Sequence, residues 1–229
     1  MADIRDYITL SKTASAISSA YSIPDDFKSY YNNIDNKEKK SLVRHFIVNN
    51  IPFAFKDKPM LYEQITQYIA DKFYISPTEV KLIGSAKTGF SISPLPDYGR
   101  NFGEHSDLDF SIVNESLFDS LEDEFNNWSN LFRTKQIKPN NATEETYWHQ
   151  NLDSGERQLN RGFIDTHFIP NRSSFPTTQK INNSLWLIKK HLDEKHGIKV
   201  KKVSASFYKN WNSFARRLNT NTESVMKNV

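Results

Sequence analysis

Three aspartates are the residues best placed, by type and spacing, to do chemistry. Asp107 and Asp109 lie in Ser-Asp-Leu-Asp-Phe, and Asp165 lies in Ile-Asp-Thr. Alternate residues of a strand share a face. A strand here would project Asp107 and Asp109 together, about 7 Å apart along the backbone, with Leu108 and Phe110 turned into a core. Two carboxylates held side by side repel unless a cation lies between them. Hard oxygen donors of this kind suit Mg²⁺ or Mn²⁺. A third carboxylate on a neighbouring strand completes a site for two ions, which activates an attacking hydroxyl and stabilises the leaving pyrophosphate of a nucleoside triphosphate. Asp165 fits that third place, because mid-strand Asp is disfavoured. Asp153 and Glu156 are substitutes in a polar stretch that reads as loop.

The second element is Gly84-Ser85, which ends the apolar run Val80, Leu82, Ile83. A Gly-Ser turn lets backbone N–H groups and a small hydroxyl approach phosphate oxygens closely. Lys87 and Thr88 follow and are candidates for further phosphate contacts. Arg100, Glu104 and His105 precede the acidic pair, Arg161 precedes Asp165, and His167 follows it on the same face of an extended chain. Tyr208, Lys209, Trp211, Arg216 and Arg217 form an aromatic and basic group able to stack on a base or simply to pack and face water. His149, His191 and His196 lack zinc-ligand spacing.

These residues need a scaffold, and the pattern of apolar residues supplies one. Ile4, Ile8, Ala14, Ile17 and Ala20 suggest an N-terminal helix over residues 3–20. Pro24 starts a helix, and Leu42, Val43, Phe46 and Ile47 mark another that Pro52 stops. Pro59 opens a third, with Leu61, Ile65, Tyr68, Ile69 and Phe73 on one face. Strands follow at Val80–Ile83 and around Asp107 and Asp109, separated by a Pro- and Gly-containing stretch. Residues 115–134 return to helical spacing, and 138–160 are ambiguous. A strand is expected over Gly162–Ile169, then a helix over Asn182–His196 ended by Gly197. A last helix is expected over Phe207–Leu218, with a fraying tail after Asn219. The fold class is α+β, a small mixed sheet flanked by helices.

Composition is that of an ordinary globular chain of 229 residues, 37% hydrophobic and 13% aromatic. The net charge of +3 is compatible with a polyanionic ligand but is no argument by itself. Cys is absent, which excludes disulfides and thiolate metal sites. No run approaches the roughly 20 apolar residues of a membrane helix, and residues 1–20 lack a basic start followed by an apolar core. The cytoplasm is the expected location, with no membrane partner.

Gly84-Ser85-Ala-Lys87-Thr88-Gly89, then Ser106-Asp107-Leu108-Asp109, then Asp165 resembles the DNA polymerase β-type nucleotidyltransferase superfamily. The likeness is to bacterial minimal nucleotidyltransferases and to the oligonucleotide synthases of anti-phage defence, and covers roughly residues 60–195. It implies a nucleotidyltransferase fold: a helical N-terminal region over 1–58, a catalytic core over 59–196, and a C-terminal helix and tail over 197–229. It also implies two Mg²⁺ or Mn²⁺ ions on Asp107, Asp109 and Asp165, and an NTP or dNTP whose phosphates lie near Gly84, Ser85, Lys87 and Thr88. The reaction would transfer a nucleoside monophosphate to a hydroxyl and release pyrophosphate. The acceptor stays open at this point. One option is a nucleotide signal or short oligonucleotide acting on an effector protein. Others are a protein or tRNA, as in toxin–antitoxin pairs, or a tyrosine of the chain itself, with Tyr7, Tyr21, Tyr30 and Tyr31 available. A catalytically inactive nucleotide- or nucleic-acid-binding module is the alternative of another class. Two departures from the family stand out. The segment from Phe90 to Ser106 is longer than usual, and the chain is short for a cyclic-oligonucleotide synthase.

Overall fold

The computed structural model describes residues 3–229. Four strands, β1 (Val80–Ile83), β2 (Asp107–Val113), β3 (Phe163–Asp165) and β4 (Lys202–Tyr208), form one mixed sheet. Their order is β1-β2-β4-β3; β2 and β4 are parallel, and the outer strands run antiparallel to their neighbours. Helices cover the sheet, so the chain is α+β.

The strands alternate as their residues require. Leu108, Phe110 and Ile112 of β2 join Val203, Ala205 and Phe207 of β4 on one face, in the main core. Helices α5 (Pro59–Phe73), α7 (Glu115–Arg133) and α9 (Pro176–His196) add Ile65, Ile69, Phe125, Trp128, Ile181 and Leu185 to the same core. The opposite face carries Asp107, Asp109 and Ser111, and it is only partly covered. Val113, Phe163, Tyr208 and Phe214 pack together at one end. Beyond them lies a second core, built from helices α3 (Pro24–Asn33) and α4 (Asn36–Val43) and the π-helical turn Arg44–Val48. Phe90 and the end of α10 (Trp211–Met226) complete it. What remains between these clusters is an open cleft over the acidic face.

Several elements differ from the sequence pattern. The expected N-terminal helix is two short turns, α1 (Arg5–Ile8) and α2 (Lys12–Ala16), because its apolar residues are too sparse to bury a continuous stripe. The ambiguous stretch 138–160 is helix α8 (Ala142–Leu159), capped by the Asn141 side chain. Its anchor is Trp148, edge-on to Trp128 with ring centroids 5.7 Å apart. The expected strand over Gly162–Ile169 stops at Asp165 and turns into a 3₁₀ segment, Thr166–Phe168.

The largest correction is at the C-terminus. Lys202–Tyr208 is a strand and lies between β2 and β3, so residues 197–229 are not an appended helix and tail. Helix α10 starts at Trp211 rather than Phe207 and continues to Met226. It does not fray after Asn219, because Val225 and Met226 are buried against α3 and α4.

Gly155 shows how closely α8 meets α7. A Cβ there would lie 2.2 Å from Phe125 Cε2, a fully buried ring. Gly→Ala inside a helix ordinarily stabilises by about 1 kcal/mol. Here Gly155→Ala is expected to destabilise by roughly 1–3 kcal/mol through overpacking, read as a lower urea midpoint.

Candidate active site

Strand β4 organises the acidic face. Its register sets Ser204 beside Asp109 and Ser206 beside Asp165. Ser204 Oγ donates to Asp109 Oδ1 at 2.6 Å, and Ser206 Oγ donates to Asp165 Oδ1. Arg217 of α10 sits 3.8 Å from the same Asp165 oxygen. Its guanidinium lies 3.9 Å from the Phe163 ring centroid and donates to Tyr208 Oη at 3.0 Å. Asp165 is thus oriented by a hydroxyl and a cation.

Asp109 is the middle member of the three carboxylates. Asp107 precedes it by two residues on β2, and Asp165 lies two strands away. Two strand spacings across and two residues along are on the order of 12 Å between Cα atoms. Burial raises the Asp109 pKa, and Asp107 and Asp165 push in the same direction, against the Ser204 hydrogen bond and Lys202. Among the described residues no three acidic, His or Cys side chains are drawn together tightly enough to form a ready metal site. The donor chemistry nonetheless fits a hard divalent cation. Asp107 Oδ1 is buried with no hydrogen-bond partner, and such an atom needs a donor or a cation.

The Gly-Ser turn closes on this row. Gly84 has φ 70° and ψ −160°, a region open essentially to glycine alone. A Cβ on Gly84 would stand 3.2 Å from Asp109 Oδ2. Both the backbone conformation and the approach to the carboxylate therefore require glycine here.

The cleft has two lobes. The larger is about 760 Å³ and holds Asp165, His167, Lys202 and Arg217. The smaller is about 340 Å³ and holds Ser85, Arg100, His105, Lys201 and Asp107. Gly84 and Asp109 line both, together with Ser93 and Asn221. The row of aspartates therefore runs from one lobe, through the junction, into the other.

The 90–106 segment is the outer wall of the smaller lobe. Ser91 N–H donates to the Arg100 carbonyl, Gly99 N–H to the Ser91 carbonyl, and Phe102 N–H to the Gly89 carbonyl. Tyr98 Oη donates to the Pro24 carbonyl at 2.8 Å, which fixes the wall to α3. Arg100 is held 2.9 Å from Asp97.

Two expected phosphate contacts are corrected. The Lys87 side chain is buried and donates to the carbonyls of Asn49 and Asn50. Burial, with Lys81 nearby, brings its pKa down to about 8. Thr88 Oγ1 donates to the Phe90 and Gly84 carbonyls, so its hydroxyl serves the turn rather than a ligand. Both side chains fasten the short helix α6 (Ser85–Thr88) to neighbouring backbone carbonyls.

Of the other candidates, Arg161, Glu104 and Glu156 line neither lobe, and Glu156 is paired with Arg133 at 2.5 Å. Lys209 pairs with Asp119. None of Tyr7, Tyr21, Tyr30 and Tyr31 lines either lobe. Sequence reasoning missed Lys201, Lys202, Ser204 and Ser206. The alternation Lys202-Val-Ser204-Ala-Ser206-Phe is the period-two pattern of a half-buried strand, so their signal was present. No protein-family model matches this chain, and neither a curated protein nor a solved structure does.

Burial raises the Asp109 carboxyl above its ordinary pKa, so the fold resists ionising it. That cost is absent below the ordinary carboxylate pKa and grows as pH rises from there through the raised folded-state one. Asp109→Asn keeps an acceptor for Ser204 and removes the charge. With divalent ions chelated, the variant is expected to unfold a few degrees higher than the parent at pH 7 and to lose that advantage at low pH. Differential scanning calorimetry at both pH values checks this.

Proposed function

We propose that this chain is a divalent-metal-dependent nucleotidyltransferase that moves a nucleoside monophosphate from a nucleoside triphosphate to a hydroxyl, releasing pyrophosphate. The observation that carries the reading is the row Asp107–Asp109–Asp165 laid across two lobes, with the Gly84–Ser85 turn against its middle member.

Asp107 and Asp109 would hold the divalent ions, with Asp165 supplying a further ligand. When bound, Mg²⁺ or Mn²⁺ neutralises the triphosphate's charge and lowers the pKa of the attacking hydroxyl. The rest is positioning and electrostatics. The Gly84 backbone and the Ser85 hydroxyl lie against the phosphates, in a place where a larger residue would meet Asp109. Ser204 turns Asp109, and Ser206 and Arg217 turn Asp165, so neither carboxylate has to reorganise as charge shifts. Asp165 receives the proton of the acceptor hydroxyl. Lys201 adds positive charge to the smaller lobe, with the Arg100–Asp97 pair at its wall, and this suits a leaving pyrophosphate.

A nucleotide signal or oligonucleotide in defence is the role we favour for the product, on the strength of the motif resemblance. The tyrosine-primed reading draws no support from the N-terminal tyrosines, which stand away from the cleft.

The experiment is incubation of the purified protein with each α-labelled NTP and dNTP, with Mg²⁺ or Mn²⁺, and resolution of the products. Labelled product and pyrophosphate should form together. Asp109→Asn and Asp107→Asn should each lower the rate by about 10³-fold or more, the several kcal/mol that carboxylate-held cations contribute. Turnover that survives either substitution, or that ignores chelation, would rule the proposal out.

A further inference from the structure

The geometry points to Ser93 as a site of self-nucleotidylation: a nucleoside monophosphate is transferred to its hydroxyl, stays there, and closes the cleft to the next triphosphate. This rests on the nucleotidyl-transfer reading and adds to it a modification site within the chain and a brake on turnover.

Position comes first. Asp109 and Gly84 line both lobes, and among the residues that do so Ser93 carries the one hydroxyl. Its side chain is exposed. A serine hydroxyl reaches only one bond past Cβ, so at Ser93 the backbone of the wall itself comes to the junction. That backbone is held on both sides. Ser91 N–H donates to the Arg100 carbonyl and Asp97 N–H to the Pro94 carbonyl. Pro94 and Pro96 each lock a backbone φ angle. A hydroxyl kept in place beside a reacting phosphorus has a large advantage over one collected from solution.

Other hydroxyls of the cleft are already committed. Ser204 and Ser206 donate to Asp109 and Asp165. Thr88 and Thr166 donate to the Phe90 carbonyl and to the Asn182 side chain. Ser85 lines only the smaller lobe, on the side of the leaving pyrophosphate. Ser93 is the hydroxyl left over at the junction.

The step is balanced without a further reactant. Ser93 Oγ bonds to the α-phosphorus of a bound NTP, and its proton passes to the Asp165 carboxylate. The bond from phosphorus to pyrophosphate breaks, and the bonding pair leaves on the pyrophosphate. The nucleotide on Ser93 then stands where the next triphosphate would meet Asp109. A chain without an acceptor consumes one NTP and stops.

The full chain is incubated with each α-labelled NTP and Mg²⁺, with no acceptor added. Label is located by tandem mass spectrometry of peptides. About one label per chain is expected, on Ser93, with pyrophosphate released in the same amount. Ser93→Ala should lower the labelling by about tenfold or more, and Ser93→Thr, which keeps a hydroxyl, should restore part of it. Labelling should be first order and independent of protein concentration, because site and acceptor share a chain. The α,β-methylene analogue of the labelling NTP, titrated by calorimetry with Mg²⁺, should bind the labelled chain about tenfold or more weakly than the unlabelled one. Label on another residue overturns the assignment, as does label on an Asp109→Asn chain mixed with a Ser93→Ala chain. A chain that stays unlabelled yet releases pyrophosphate when a short oligoadenylate is added overturns Ser93 and keeps the reaction. A labelled chain that binds the analogue undiminished overturns the brake. Neither label nor pyrophosphate under any of these conditions overturns the reaction itself, and Ser93 with it.

Discussion

Three carboxylates of like charge share one partly covered face of a small sheet, and the strand between them supplies what keeps them apart and aimed. β4 separates β2 from β3, and its two small hydroxyls, Ser204 and Ser206, each take one aspartate. Hydrogen bonds to an ionised carboxylate stabilise it, and Arg217 adds a full charge at Asp165. Even so, Asp109 stays harder to ionise than a free carboxyl, because burial and two acidic neighbours act on it together. A site left in that condition is one that a cation would complete.

The remainder of the chain can be understood as support for that face. The main core lies on the other side of the sheet, where Leu108, Phe110, Ala205 and Phe207 leave no room for solvent. This frees the acidic side to be open without loss of the packing that stabilises the strands. The N-terminal helices close one end of it. They are tied in by Lys87, whose ammonium reaches the carbonyls of Asn49 and Asn50, and by Tyr98, which reaches Pro24. The long 90–106 segment thus belongs to the wall, and Arg100 and His105 come to the cleft from it.

Asp109 stands where the two lobes of the cleft meet. The smaller lobe has the Gly-Ser turn with Asp107 and Lys201, and the larger has the Asp165–Arg217 pair with Lys202 and three asparagine amides. The Asp109 carboxylate is pressed against Gly84, which cannot be replaced without strain, and on the proposed reading it is where the ions and the triphosphate would meet. Next to the turn, Lys87 and Thr88 spend their donors on backbone carbonyls and anchor it.

Local residue patterns by themselves determined a good part of this protein. Period-two alternation aims Asp107 and Asp109 together, Gly84-Ser85 marks the turn, and prolines mark the starts of α3 and α5, because each of these depends on neighbours in the chain. Helix α8 was hidden because its sequence is polar on most sides, and one buried tryptophan holds it. β4 was legible in principle but was masked by the aromatic residues that follow it. Tertiary structure alone decided that β4 lies between the acidic strands, that Ser204 and Ser206 are the partners of Asp109 and Asp165, and that Lys201 and Lys202 part into different lobes. It also decided that Lys87 points inward. Those outcomes depend on strand order and register, which are set by packing between segments about 100 residues apart, and no local pattern encodes such distances.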